Sequence, residues 1–249
     1  MDLVVERDYP SLSRAAAEVV TDLLMAKADA RLVVATGETP LGLYRNLADR
    51  KVRGQIDTSR LRIFQLDEYL GLTLDDSRSL YRWMREVFLE PLAIGDHQVT
   101  RLPGDAPNPT AACRAYDHEV EQAGGYDLAI LGLGPNGHLG FNEPPSDHDA
   151  PTRVVTLSPE TVHSNARYWG GEDRVPRQAL TAGMKQLLAA RRVLLLVSGR
   201  GKRAMLARTL EGPETPHVPA SFLQRAEHVT VITDRDAMPM PAVSFPGEV

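Results

Sequence analysis

The sequence predicts an α/β fold, a mostly parallel sheet with helices on both faces. Three observations predict it. Short β-branched runs alternate with longer stretches of helical period along the chain, the pattern of parallel strands joined by crossover helices. The polar, glycine-rich segments fall directly after strands, where open α/β sheets place ligands. The 249 residues, 43% hydrophobic and 24% charged, suffice for a large packed core without the composition of a disordered chain.

Strands are expected at 3–5, 31–35, 61–66, 127–131, 153–157, 192–197 and 228–233, where apolar and β-branched residues run together. Helical patterns fill 12–28, 41–49, 79–88, 110–122, 181–190 and 202–210. A shorter helix opens at Ser158-Pro159-Glu160, a Ser cap followed by Pro at the first helical position. The least regular stretch is 143–176, rich in Pro, Gly, Asp and His. Long irregular segments of this kind serve as lids or binding loops. With no internal repeat, low-complexity tract or linker, residues 1–249 read as a single α/β domain and 143–176 as a lid segment within it.

The composition narrows the function. The chain carries 28 basic against 33 acidic residues, a net charge of −5, which is a poor footing for nucleic acid. A metabolite phosphate needs only one or two local cations. Cys113 is the single cysteine, so no intramolecular disulfide forms and a reducing, cytoplasmic setting is expected. The opening MDLVVERDYP lacks the apolar core of a signal peptide. The longest apolar run, 193–197, is far short of the roughly 20 residues of a membrane span.

Four strand-end segments carry candidate chemistry. The first, Thr36-Gly37-Glu38-Thr39-Pro40, joins strand 31–35 to helix 41–49. A helix N-terminus offers free N–H groups to an anion, with Gly37 permitting close approach and the Thr36 and Thr39 hydroxyls adding donors; a capped turn without ligand has the same signature. The second, Asp67-Glu68-Tyr69, follows strand 61–66. Adjacent carboxylates there are costly unless hydrogen-bonded or used, and either a general base or an acidic cap fits. The third runs from Gly132 through Gly134, Asn136, Gly137, His138 and Gly140 to Asn142 and Glu143. A histidine with a nearby carboxylate to hold its tautomer, set in a glycine-rich strand-end loop, suits proton transfer. The fourth, Ser198-Gly199-Arg200-Gly201-Lys202, offers a second set of backbone donors and a lysine, or a solvated basic turn.

Other chemistries find less support. The segments match neither the Walker pattern nor GxGxxG. His138, His148 and His163 lack compact zinc spacing, so no metal is expected. There is no G-x-S-x-G elbow, and helical Cys113 reads as packing.

Together, Asp67-Glu68-Tyr69 and the Gly137-His138-Leu139-Gly140-Phe141-Asn142-Glu143-Pro144 run resemble the signatures of the glucosamine-6-phosphate deaminase family. The resemblance extends over nearly the whole chain, through Thr36 to Pro40, Asn165 to Tyr168, Val175 to Thr181, Ser198-Gly199 with Lys202, and Asp234-Arg235. It implies a modified Rossmann-like fold shared with sugar-phosphate lactonases, a soluble enzyme of amino-sugar catabolism and no cofactor. It implies aldose–ketose isomerisation with deamination of glucosamine-6-phosphate to fructose-6-phosphate and ammonia. By motif position, Asp67 is the base moving a proton between C2 and C1. His138 opens the sugar ring, supported by Asn136 and Glu143. Thr36, Gly37 and Thr39 hold the phosphate with Arg167 and Lys202.

The departures shape the expectations. Asn136 stands where some members carry Asp. Glu38 stands where the family usually has a small residue. A carboxylate facing the phosphate would repel it, so Glu38 is expected to point outward and lend only its N–H; otherwise the ligand differs. Val155 stands where the allosteric, hexameric branch has a basic residue, which points to an unregulated monomer or low-order homo-oligomer. The alternatives are a galactosamine-6-phosphate deaminase/isomerase, a 6-phosphogluconolactonase, whose loop after the histidine reads Thr-Ala-Ser rather than Leu139-Gly140-Phe141, and a non-catalytic sugar-phosphate sensor.

Overall fold

The computed structural model describes residues 1–239; residues 240–249, the end of the expected domain, lie outside the described residues. In chain order the first half runs β1 (Asp2–Glu6), α1 (Tyr9–Ala26), β2 (Arg31–Val34), α2 (Leu41–Val52), β3 (Arg62–Gln65), β4 (Asp67–Tyr69), α3 (Leu80–Met84, continuing as a π-helical turn over Arg85–Leu89), β5 (Val99–Thr100), α4 (Pro109–Ala123) and β6 (Leu128–Gly132). The second half runs β7 (Arg153–Thr156), α5 (Pro159–Trp169), β8 (Gln178–Thr181), α6 (Met184–Leu188), β9 (Val193–Val197), α7 (Arg203–Glu211) and β10 (Val229–Asp234).

Seven strands form one sheet in the order β1-β10-β9-β6-β2-β3-β5, and every pairing in it is parallel. Successive side chains of a strand point to opposite faces, and both faces here are covered. Val33, Ala129, Leu131, Leu195 and Val231 join α4, α6 and α7 in one buried cluster. Their sequence neighbours Leu32, Leu128, Ile130, Leu194 and Ile232 join α1, α2 and α3 in another. This two-sided burial explains why the central strands are near-continuously apolar.

The strand order reverses between β2 and β6. Chain leaving β2 builds outward through β3 and β5, and chain leaving β6 builds the other way through β9 and β10. The crevice at such a reversal, beyond the carboxyl ends of the strands, is the natural ligand position.

Two features were not foreseen. A second, antiparallel sheet of order β4-β8-β7 stands beside the first, so segment 153–157, read among the strands of a mostly parallel sheet, belongs to this one as β7. Thr181, expected to begin a helix, closes β8, and α6 starts only at Met184. Strands of three or four residues are too short to display a period of two. Tyr69, Phe141, Val162, Trp169 and Ala179 form a third buried cluster that seats α5 against the small sheet. The cap read from the sequence is present: the Ser158 hydroxyl accepts from the Thr161 N–H at 3.2 Å, and Gly170 ends α5 in the left-handed region at φ 70°.

Candidate active site

A cleft of about 790 Å³ opens at the reversal point. Its walls are the segment after β2, Asp67, and the glycine-rich loop after β6; Lys202 enters from the turn after β9, and α5 closes one side through Thr161, Asn165 and Arg167. Thr36, Gly37, Thr39, Asp67, His138, Arg167 and Lys202 all line this one space. Asn136 and Glu143 do not line it; they stand behind His138.

The chain leaves the parallel sheet at Leu66, whose carbonyl accepts from the Ala182 N–H at 2.8 Å, and enters the small sheet at Asp67. The two adjacent carboxylates therefore meet different surroundings. Glu68 accepts from the Ser79 hydroxyl at 2.7 Å and from the N–H groups of Leu80 and Tyr81, each at 2.9 Å. It is the anchor of the α3 N-terminus, where a carboxylate satisfies orphan donors. Asp67 is 6% exposed, and its Oδ1 has no hydrogen-bond partner among the described residues. Burial, with a smaller contribution from the Glu68 charge, pushes its carboxyl up to about 7. A buried carboxyl with one oxygen unpartnered among the described residues and a pKa pushed toward neutrality suits a general base of that pH range.

Thr181, paired with Asp67 across β4 and β8, accepts from the Phe141 N–H at 3.1 Å and so brings the glycine-rich loop alongside Asp67. Two glycines in that loop are obligatory for distinct reasons. A Cβ on Gly134 would stand 2.2 Å from the His138 ring, in space the imidazole occupies. Gly140, at φ +60°, would place one 3.0 Å from Thr181 Oγ1 and 3.4 Å from Asp67 Oδ2. Asn142 locks the loop by donating to the carbonyls of Leu139 at 2.9 Å and Ala182 at 2.8 Å. The side-chain oxygen of Asn136 accepts from the His138 N–H at 3.3 Å, so Asn136 shapes the backbone at the histidine rather than its ring.

His138 Nδ1 is buried without a partner among the described residues and lies 3.9 Å from Glu143 Oε1. Burial lowers its pKa to about 4, against the opposing pull of Glu143, so the ring is neutral across the physiological range. Glu143 accepts from the Ser158 N–H at 2.6 Å, from the Ser158 hydroxyl at 2.9 Å and from the Thr161 hydroxyl. The carboxylate that faces His138 is thus held by the start of α5, a link made by residues 15 and 18 positions away that only the fold brings near.

The residues expected to meet an anion lie at the other end. Gly37 adopts φ +95°, and no side chain caps α2. Two amides of that terminus are already used, since the Leu41 N–H donates to the Glu38 carbonyl at 3.3 Å and the Gly42 N–H donates to Tyr9 Oη at 2.8 Å. Lys202 has no ion-pair partner among the described residues, and burial lowers its pKa. Arg167, 64% exposed, lies 3.4 Å from Glu38 Oε1, and Tyr168 Oη donates to the same oxygen at 2.9 Å. The Glu38 carboxylate therefore engages α5, which goes beyond the sequence expectation of an outward side chain lending only its N–H. Arg78, missed from the sequence because it sits among surface-like Asp and Ser residues, also lines the cleft. Asp76 grips it at 2.9 and 2.7 Å, and its guanidinium lies 4.8 Å over Trp169.

Residues 8–232 match the model of a family described as glucosamine-6-phosphate isomerases/6-phosphogluconolactonase. The chain is 40% identical to glucosamine-6-phosphate deaminase 2 of Bacillus subtilis, covering 98% of this chain and 100% of the relative. It is 42% identical to glucosamine-6-phosphate deaminase of Corynebacterium kroppenstedtii, over 95% and 91% respectively. The solved structure of a monomeric glucosamine-6-phosphate deaminase superposes with a TM-score of 0.93 at 38% identity, covering 95% of this chain and 98% of that one. A 6-phosphogluconolactonase from Trypanosoma brucei superposes with a TM-score of 0.78 at 20% identity over 95% and 97% of the two chains, a likeness of fold alone.

Proposed function

The chain belongs to the glucosamine-6-phosphate isomerase/6-phosphogluconolactonase family, and on that premise we propose that it is an enzyme converting glucosamine-6-phosphate and water to fructose-6-phosphate and ammonia. The observation that carries the reading is the buried carboxylate of Asp67, whose Oδ1 has no partner among the described residues, in the same cleft as a neutral His138, with an anion pole at Thr36, Gly37, Thr39, Arg167 and Lys202.

The closed sugar has no acidic proton at C2. Neutral His138 takes the proton of the anomeric hydroxyl and delivers one to the ring oxygen, which opens the chain and exposes the C1 aldehyde. Glu143 steadies the transient imidazolium across the 3.9 Å separation, and Asn136 fixes the backbone beneath it. The C2 proton is then adjacent to a carbonyl, and Asp67 removes it. Returning that proton to C1 leaves an imine at C2, which water hydrolyses with loss of ammonia. General acid–base steps of this kind each contribute roughly 10²–10⁴-fold. Anchoring the flexible open chain by its phosphate adds positioning.

Residues 143–176 act as the lid in this reading: α5 supplies Arg167 to the phosphate and, at its other end, the donors that hold Glu143. The likeness to a solved deaminase that is monomeric supports a monomer or low-order homo-oligomer, and the single cysteine supports a cytoplasmic setting. No helix among the described residues is long and apolar enough to cross a membrane.

Ammonia release from glucosamine-6-phosphate, with galactosamine-6-phosphate alongside, tests the substrate. Turnover of the gluco epimer is expected to dominate; turnover confined to the galacto epimer would overturn the assignment.

A further inference from the structure

The acidic side chains lining the cleft are Asp67 and Glu38. Asp67 has its place in the proposed chemistry. Glu38 has none, and a carboxylate on a phosphate-binding loop opposes the ligand it serves. Its surroundings are nonetheless built. The hydroxyl of Tyr9 shares its one proton between the carbonyls of Glu38 at 3.0 Å and Thr39 at 3.1 Å, while accepting from the Gly42 N–H. The loop backbone is thereby fixed to α1 and α2, and so is the point from which the Glu38 side chain departs. That side chain reaches the last turn of α5, accepting from Tyr168 Oη at 2.9 Å and lying 3.4 Å from Arg167 Nη2. Arg167 in turn donates to Tyr168 Oη and lies 4.6 Å over the Tyr168 ring. The three residues form one closed cluster in which the Arg167 charge is balanced by Glu38 before any substrate arrives.

We propose that Glu38 is a resident competitor of the phosphate, a carboxylate that is tethered by Tyr168 at the mouth of the cleft, pairs with Arg167 there and is displaced from Arg167 by the phosphate of substrate or product. The inference rests on the assignment of Arg167 to the phosphate. A guanidinium presents a planar fork that a phosphate fills with two parallel bonds, so the phosphate outcompetes a single carboxylate oxygen at 3.4 Å. Tyr168 keeps Glu38 beside the site after the exchange. Two consequences follow from this one contact. The free enzyme's affinity for phosphate is held down, and the product phosphate meets a competitor as it leaves.

The charge and the tether are separable by substitution. Glu38→Gln keeps an acceptor for Tyr168 and removes the negative charge. Because the pair is exposed, its effect is modest: the inhibition constant of inorganic phosphate and KM are expected to fall about three- to fivefold. A purely structural role would weaken binding on substitution, so the sign of the change decides. Tyr168→Phe removes the tether and keeps the charge, and KM is expected to rise. In an Arg167→Ala background the gain from Glu38→Gln is expected to vanish. Arg167→Ala that leaves KM and phosphate inhibition unmoved would refute the phosphate assignment of Arg167 and this proposal with it. If Arg167→Ala weakens phosphate while Glu38→Gln leaves it unchanged or weaker, the Glu38 proposal alone is overturned.

Discussion

Asp67 and Glu68 are chemically near-identical and adjacent, and what separates them is the donors each can reach. Glu68 has several, including two amides at a helix start; Asp67 Oδ1 has none among the described residues. The difference has a measurable sign. The folded protein raises the Asp67 carboxyl from 3.8 to about 7, so between those values the unfolded chain is ionised and the folded one is not. Stability is therefore lost as pH rises from about 4 to about 7 and stays lost above it. Asp67→Asn, neutral at every pH, is expected to match the wild type near pH 3.5 and exceed it at pH 8 by up to roughly 4 kcal/mol. Denaturant melts at a series of pH values read this directly; a variant no more stable at pH 8 than at pH 3.5, relative to wild type, would mean that Asp67 is not a strained carboxylate. The type and place of Asp67 and His138 were legible in the sequence, because both follow strands in a glycine-rich or acidic setting. Arg78 and the Glu38–Tyr168 pair were not, since each depends on a partner 91 or more positions away that only the fold brings near.

Among the elements, α5 has the most consequential attachments. Its first turn holds Glu143, and its last turn carries Arg167 and Tyr168 beside Glu38. The helix start at Ser158 was legible because capping chemistry is local. The sheet on which α5 rests was not, because β4, β7 and β8 are too short for a period and take their register from one another. Ser158→Ala removes the cap and one of the donors to Glu143 together. A loss of about 1 kcal/mol in stability is expected, seen as a fall in Tm of about 2–4 °C for a chain of this size. An unchanged Tm would show that the α5 terminus is not organised by this residue.

At the scale of the molecule, a parallel sheet whose order reverses between β2 and β6 gathers four strand-end segments at one crevice. That much followed from alternating strands and helices, since the topology of such folds is narrowly constrained. The fold alone does not choose a reaction, as its likeness to a lactonase at 20% identity shows; the residues at the crevice do. The central claim is that Asp67 moves the C2 proton of the opened amino sugar. Its most direct test is ammonia release from glucosamine-6-phosphate by the wild type and by Asp67→Asn, with phosphate-analogue binding measured in both. The account predicts wild-type kcat/KM that climbs through an acid limb near pH 7, and an Asn variant that binds but turns over at least about 10²-fold more slowly. Undiminished release by the variant would contradict it.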